Sequence, residues 1–260
     1  MVYIIGDTHL AIGDKNKSME VFGTLWDNYM EKIRKNWLET VKENDSVIIA
    51  GDFSWAMNME EALEDFKYID DLPGTKYILR GNHDFWWNTI SKMDRFLKEN
   101  GIENIHFIYN NSYIIEDIAV VGAKGWSTLN PEEEFTNIRR EKLRLENSIA
   151  CLEKQLKNIP DEERNKIRKV CVLHYPPIYR EDVKKRYLNY LNGLDITEEE
   201  KKQMMEDIDY IEVLKKNNIT KCYYGHLHGD SHNEAIQGNY MGIDFSLISG
   251  DYTNFKLTKI

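Results

Sequence analysis

VYIIGDTH, residues 2–9, is an apolar run of four that stops at Gly6 and passes at once to Asp7, Thr8 and His9. A short β-branched and aromatic run bounded by glycine reads as a strand. The phrase recurs along the chain, and that recurrence decides the fold. SVIIA (46–50) runs into Gly51-Asp52, KYIL (76–79) through Arg80 into Gly81-Asn82-His83-Asp84, KVCVL (169–173) into His174, and KCYY (221–224) into Gly225-His226-Leu227-His228. A sixth strand candidate, IAVVGA (118–123), carries no such ending.

Between these runs lie helical patterns. Residues 18–43 place Phe22, Leu25, Trp26, Tyr29, Ile33, Trp37 and Val41 near a 3.6-residue period, which predicts one long helix. Shorter helices are predicted over 59–70, 88–100 and 207–217. Alternation of strands and helices points to an α/β fold with a parallel or mixed sheet. Two stretches read as additions: a charged helix within 131–166, and 178–206, where Thr197 and Glu200 are spaced for a capping box.

In such sheets the strand ends converge on a crevice, so residues far apart in sequence meet there. Glycine before the polar residue permits tight turns and close backbone approach, and Pro176-Pro177 stiffens the segment after His174. On an extended strand, residues i and i+2 share a face, so His226 and His228 project side by side. Taken alone, this pair reads equally well as two solvent-facing histidines near a turn. The collected inventory of Asp, His, Asp, Asn and three more His suits two divalent transition metals sharing a carboxylate, since imidazole and carboxylate together accept Zn, Fe, Mn or Ni.

Composition bounds the alternatives. The 260 residues are 42% hydrophobic and show no repeat, which is enough for a sizeable core. The opening residues lack a basic region and a long apolar stretch, and no apolar run approaches membrane-spanning length, so a cytoplasmic protein without a membrane partner is expected. Cys151, Cys171 and Cys222 are widely spaced and lack C-x-x-C, which argues for buried thiols rather than a disulfide framework or a thiolate zinc site. A formal net charge of -10 argues against an extended nucleic-acid surface.

GDTH, GDF, GNHD, LHYPP and GHLH, in that order and spanning residues 6–228, resemble the five-part signature of the calcineurin-like metallophosphoesterases. The strings RGNHDFWW, LHYPP and GDFSWAM are similar to a bacterial subgroup of predicted phosphohydrolases. The resemblance implies a four-layer αββα sandwich: two packed mixed β-sheets flanked by helices, as a single domain over 1–260 with helical insertions near 131–166 and 178–206. It implies one metal held by Asp7, His9, Asp52 and His228, and a second held by Asp52, Asn82, His174 and His226. Asp52 would bridge them. His83 matches the residue that protonates the leaving group. Purple acid phosphatases carry a ligand tyrosine three residues after the bridging aspartate; Trp55 stands there in this chain, so no ferric tyrosinate is expected.

The expected activity is hydrolysis of a phosphate monoester or diester by a metal-bound hydroxide, on a phosphorylated small molecule or nucleotide-like substrate. A net positive metal cluster would attract that anion against the charge of the whole protein. Some relatives of the fold lose ligands and serve as protein scaffolds; the complete ligand set favours an enzyme, and the charged 131–166 segment is the feature that fits a scaffold. Asp84 reads either as an orienter of His83 or, slightly better, as a cap for the following helix. His106 and His232 read as ordinary surface or loop residues, Arg80 as structurally paired, and Lys15 and Lys17 as a solvated loop. Phe53, Trp55, Phe85, Trp86, Trp87 and Trp126 read mostly as core, with one or two available to stack on a nucleobase or aromatic leaving group. The 178–206 segment is placed to cover the crevice, with a substrate contact among Tyr179, Arg180, Arg186 and Tyr187.

Overall fold

Two sheets carry the chain, and the alternation of side chains along each strand explains how they stack. The computed structural model describes residues 1–13, 17–126, 131–178, 181–207 and 210–260. In chain order its elements are β1 (Val2–Ile5), α1 (Tyr29–Thr40), β2 (Ser46–Ala50), α2 (Met59–Asp70), β3 (Thr75–Leu79), α3 (Ile90–Glu99), β4 (Ile105–Ile108), β5 (Ser112–Ile115) and β6 (Ile118–Ala123). There follow α4 (Pro131–Leu156), α5 (Asp161–Arg164), β7 (Arg168–Leu173), α6 (Glu181–Asn192), α7 (Glu198–Asp207), α8 (Ile211–Lys216), β8 (Lys221–Tyr224), β9 (Gly238–Tyr240), β10 (Ile243–Leu247) and β11 (Thr258–Lys259).

The first sheet has the order β11-β1-β2-β3-β4, and the second β5-β6-β7-β8-β10-β9. Both are mixed: β1 to β4 and β6, β7, β8 and β10 pair in parallel, while β11, β5 and β9 add antiparallel edges. Val2, Ile4, Ile48 and Ala50 point inward to meet Val120, Val170, Val172 and Tyr223 of the second sheet. Tyr3, Ile5, Val47 and Ile49 point the other way, onto Ile33 and Trp37 of α1 and Ala62 and Phe66 of α2. Leu145, Ile149, Leu152 and Leu156 of α4 and Leu214 of α8 cover the outer face of the second sheet. The outcome is the expected sandwich of two mixed sheets between helices. No helix among the described residues is long and apolar enough to cross a membrane.

The long helix predicted over 18–43 is broken. Met19–Phe22 and Thr24–Trp26 are single 3₁₀ turns, and α1 begins only at Tyr29. Gly23 at φ 115° and Asn28 in the left-handed region at φ 51° interrupt the helix, so the apolar period continues while the backbone does not. Phe22 and Leu25 consequently face solvent instead of the core, being 67% and 51% exposed. The charged 131–166 segment is also two helices, separated before Pro160. The predicted capping box forms: Glu200 N–H donates to Thr197 Oγ1 at 3.2 Å and Thr197 N–H donates to Glu200 at 2.8 Å.

Cys171 and Cys222 are buried register partners on β7 and β8, whereas Cys151 is half-exposed, contrary to the expectation of three buried thiols. Tyr187, expected among candidate substrate contacts, is fully buried with Ile138 and Leu191, where it packs α6 against α4. Arg186 is exposed, and Tyr179, Arg180 and Lys15 lie outside the described residues.

Candidate metal centre

The ends of β1, β2, β3, β7 and β8 meet at one place because the two sheets are parallel in their centres and face each other. The loops that leave them turn sharply. Asp7, His9, Asp52 and His226 all adopt positive φ, at 55°, 41°, 50° and 72°. Non-glycine residues in this region are uncommon, and several together mark a site whose surroundings hold the backbone against its preference. Gly81 and Gly225 are required by close approach: a Cβ at Gly81 would collide with the backbone and carboxylate of Asp52, and one at Gly225 with the carboxylate of Asp7.

Asp7 is fully buried and accepts the His226 N–H at 3.1 Å on both oxygens. His9 Nε2 lies 3.5 Å from Asp52 Oδ2, and the same oxygen is 3.4 Å from His174 Nε2. Asp52 Oδ1 accepts the His83 N–H at 2.8 Å, while Oδ2 is buried without a hydrogen-bond partner. His228 Nε2 is 3.5 Å from Asp7 Oδ1. The His226 ring stands edge-on to His174 at 5.1 Å and packs on Tyr175 at 4.1 Å. All seven predicted ligand residues therefore converge.

The donor set fits divalent cations. A neutral His174 carries one ring proton but faces two acceptors, the Ala50 carbonyl 3.2 Å from Nδ1 and Asn82 Oδ1 2.6 Å from Nε2. One of those two contacts therefore lacks a proton, and with the proton on Nδ1 the lone pairs of Nε2 and Asn82 Oδ1 would be free for a cation beside them. Unpartnered buried atoms at His9 Nδ1, Asp52 Oδ2 and His228 Nε2 reinforce the point. Among the described residues, two groups of three bring ligand atoms within 4.8 Å of one another: Asp7, His9 and His228, and Asp7, Asp52 and His174. They share Asp7, where the sequence reading makes Asp52 the shared ligand; Asp52 Oδ2 nevertheless stands between His9 of one set and His174 of the other.

Charge follows from burial. Burial drives the His9 and His174 pKa well below 6.5, and that of His226 to about 4, which keeps these rings neutral and available as ligands. Burial, then the negative charges of Asp84 and Asp7, raises Asp52 well above the usual carboxylate range. Burial opposes ionisation of Asp7 too, but His228, His9 and His226 outweigh it and lower its pKa. At His228 burial lowers the pKa, yet Asp7 and the hydrogen bond to Asp251 prevail and lift it to about 10. A bound dication would stabilise both carboxylates and displace that proton.

His83 lies beside the cluster, its ring 5.6 Å from His9 and 4.5 Å from Trp55, with Nδ1 buried and unpartnered. Asp84 neither orients it nor caps a helix. Its carboxylate accepts from the N–H groups of Gly81 at 2.7 Å, Phe53 at 2.9 Å and Ser54 at 3.2 Å, and from Trp86 Nε1 at 3.1 Å, tying the Asp52 loop to the Asn82 loop. Helix α3 is entered through Thr89, five residues on, which removes Asp84 from capping range.

Several residues near the site escaped the sequence reading. Asp251 Oδ1 is 2.8 Å from His228 Nδ1, and its Oδ2 lies 3.1 Å from His232 Nε2, so His232 is no ordinary surface residue. The signal was weaker than at β1: Gly250-Asp251 comes after β10 with Ile248 and Ser249 between, and β10 alternates apolar and polar residues, whereas Gly6-Asp7 follows an apolar run directly. Lys124, after β6, accepts the His174 and Tyr175 N–H groups on its carbonyl and sets its ammonium 3.9 Å from the centre of the Trp126 ring. Arg80 is half-buried with Nε unpartnered, and its charge acts on the buried carboxylate of Glu141 in α4. His106 sits on β4 between Tyr77 and Tyr113. Phe53, Trp86 and Trp87 are core, whereas Phe85 is exposed.

The family model of the calcineurin-like phosphoesterases matches residues 1–230. The chain belongs to that family. It is a metal-dependent phosphoester hydrolase, and its buried Asp and His groups are of the kind that hold the family's divalent metals. No curated protein matches the chain in sequence. Among solved structures, phosphopantetheinyl hydrolase (PptH) from Mycobacterium tuberculosis is 12% identical, with a TM-score of 0.50 and coverage of 100% of this chain and 95% of that one. The protein of unknown function AQ665 from Aquifex aeolicus is 15% identical, with a TM-score of 0.46 and coverage of 99% and 94%. At such identities the likeness to PptH is one of fold.

Proposed function

We propose that this metallophosphoesterase, acting as one domain over residues 1–260, binds two divalent transition-metal ions and hydrolyses a phosphate monoester or diester of a small molecule. Asp7, His9, Asp52 and His228 hold one ion, and Asp52, Asn82, His174 and His226 the other. The observation that carries the reading is the convergence of His174 Nε2 and Asn82 Oδ1, 2.6 Å apart, beside the unpartnered Asp52 Oδ2. When bound, such an ion pair supplies a nucleophile from water near neutral pH and positive charge for the phosphoryl oxygens.

The chain's own part is positioning and proton transfer. Neutral His9, His174 and His226 present lone pairs, the positive-φ loops fix their direction, and Asp84 holds two of those loops together. Burial lowers the His83 pKa below 6.5. An approaching anionic ester favours the protonated ring again, which allows it to deliver a proton to the departing oxygen.

Metal analysis and turnover test this together. Purified protein supplemented with Mn, Zn, Fe or Ni should hydrolyse a chromogenic monoester or diester. Asp52→Asn should lose metal from both positions after mild chelation, and His9→Ala mainly from one. Equal metal content in wild type and Asp52→Asn contradicts the shared carboxylate, and absence of turnover with every metal contradicts the activity.

A further inference from the structure

A cavity of about 460 Å³ opens directly over the cluster, with His9, His83 and His228 at its floor. Its walls are Met19, Phe22, Leu25, Trp26 and Trp55. Trp55 stacks on His9 at 4.9 Å, and Trp26 stands edge-on to His228 at 5.3 Å, so aromatic faces continue the surface of the imidazoles without a gap. Among the described residues no Asp, Glu, Lys or Arg lines it. The two 3₁₀ turns that replace the expected helix place Phe22 and Leu25 here, 67% and 51% exposed. Phe85, also exposed, lies edge-on to His83 at 6.1 Å.

We infer that this cavity receives the leaving group of the ester, and that the leaving group is a planar, apolar, uncharged body such as an aryl alcohol. The inference rests on the proposed phosphoesterase reading. A proton from His83 reaches only the oxygen that departs, so the groups flanking His83 are those the departing alcohol touches. Those groups are aromatic and aliphatic. A phosphorylated, carboxylated or polyhydroxylated leaving group would enter without a charged partner and would lose its hydration against apolar walls. The volume is that of a small-molecule pocket, and a ring seated against this lining removes apolar surface from water.

Direct binding decides the matter without turnover. Equilibrium dialysis of 2-naphthol, which carries the ring and no phosphate, should show saturable binding to metal-loaded and metal-free protein. The Phe22→Ser/Leu25→Ser double variant should bind about tenfold more weakly, since each lost apolar contact leaves apolar area of the ring in water. Both side chains are already exposed, so their removal spares the core. Val21→Ser, 80% exposed on the same turn but outside the cavity, is the control and should bind as wild type. The ratio of kcat/KM for 2-naphthyl phosphate to that for ethyl phosphate should fall about tenfold in the double variant. Lack of naphthol binding, or equal binding by wild type and double variant, overturns the assignment even if esters are hydrolysed. Binding that is lost in the double variant, in a protein that hydrolyses no ester, leaves the pocket standing and overturns the phosphoesterase reading instead.

Discussion

Asp251 Oδ1 lies 2.8 Å from Nδ1 of His228, on the side of the ring opposite the Asp7 carboxylate. A carboxylate in this position fixes the tautomer of a metal-binding imidazole and raises its basicity, and loss of such a partner typically weakens metal binding about 10- to 100-fold. Asp251→Asn should therefore weaken one metal position by about that factor. Competition with a chelator measures it. An unchanged affinity would show that the ring is oriented by Asp7 and Trp26 alone.

Asp84 serves as a clamp with four donors on it. Asp84→Ala strands the N–H groups of Gly81, Phe53 and Ser54 and the Trp86 indole, all buried. An unsatisfied buried polar group costs about 1–3 kcal/mol, so a loss of at least roughly 3 kcal/mol is expected. Thermal unfolding should drop by about 6–12 °C in a chain of this size. Asp84→Asn keeps an acceptor and should lose less. A change below about 2 °C for the alanine variant would contradict the clamp.

Asp65 gives a pH signature away from the metals. Burial raises its pKa from 3.8 to about 6, against hydrogen bonds from Ser54, Ile12 and Gly13. The folded state then binds the proton more tightly than the unfolded chain. Its stabilising contribution is complete below pH 3.8 and is lost as pH rises through about 6. The shift corresponds to roughly 3 kcal/mol. Asp65→Asn, which keeps an acceptor for Ile12 and puts an amide N–H in place of the oxygen that accepts from Ser54, should unfold at a higher temperature relative to wild type at pH 7 than at pH 4. A difference independent of pH would mean that Asp65 ionises normally.

The strand ends were legible because each apolar run stops at a glycine or a polar ligand type, and that punctuation survives without knowledge of pairing. β1, β2 and β6 match their predicted spans, and β3 and β7 extend theirs by one residue. Short strands such as β4, β5, β9 and β11 are set by their neighbours in the sheet, and their own residues are too few to show a period. The 18–43 segment misled because apolar spacing carries no record of the backbone at Gly23 and Asn28. The role of Asp84 was hidden for another reason: two of its donors, Phe53 and Ser54, lie about thirty positions earlier, on a loop that only the sheet order brings near. Asp251 also follows a glycine after a strand, but Ile248 and Ser249 intervene and β10 alternates apolar and polar residues, so the punctuation that marks Asp7 and Asp52 is blurred there.

His83 stands apart from the ligands and so can be removed without removing them. If it donates a proton to the leaving oxygen, His83→Asn should keep both metals and slow esters with alkoxide-like leaving groups by roughly 10²–10⁴-fold. A para-nitrophenolate leaving group is stable as an anion and needs little help, so its ester should suffer much less. Collapse of the neighbouring Asn82 would look different, because metal would be lost and both esters would slow alike. Asp52 Oδ1 accepts from the His83 backbone N–H, not from its ring, so the asparagine variant retains that link between the two loops. The measurement is kcat on both esters with bound metal determined on the same samples. A uniform loss with metal retained would rule out protonation by His83 and leave it a role in holding the phosphoryl group.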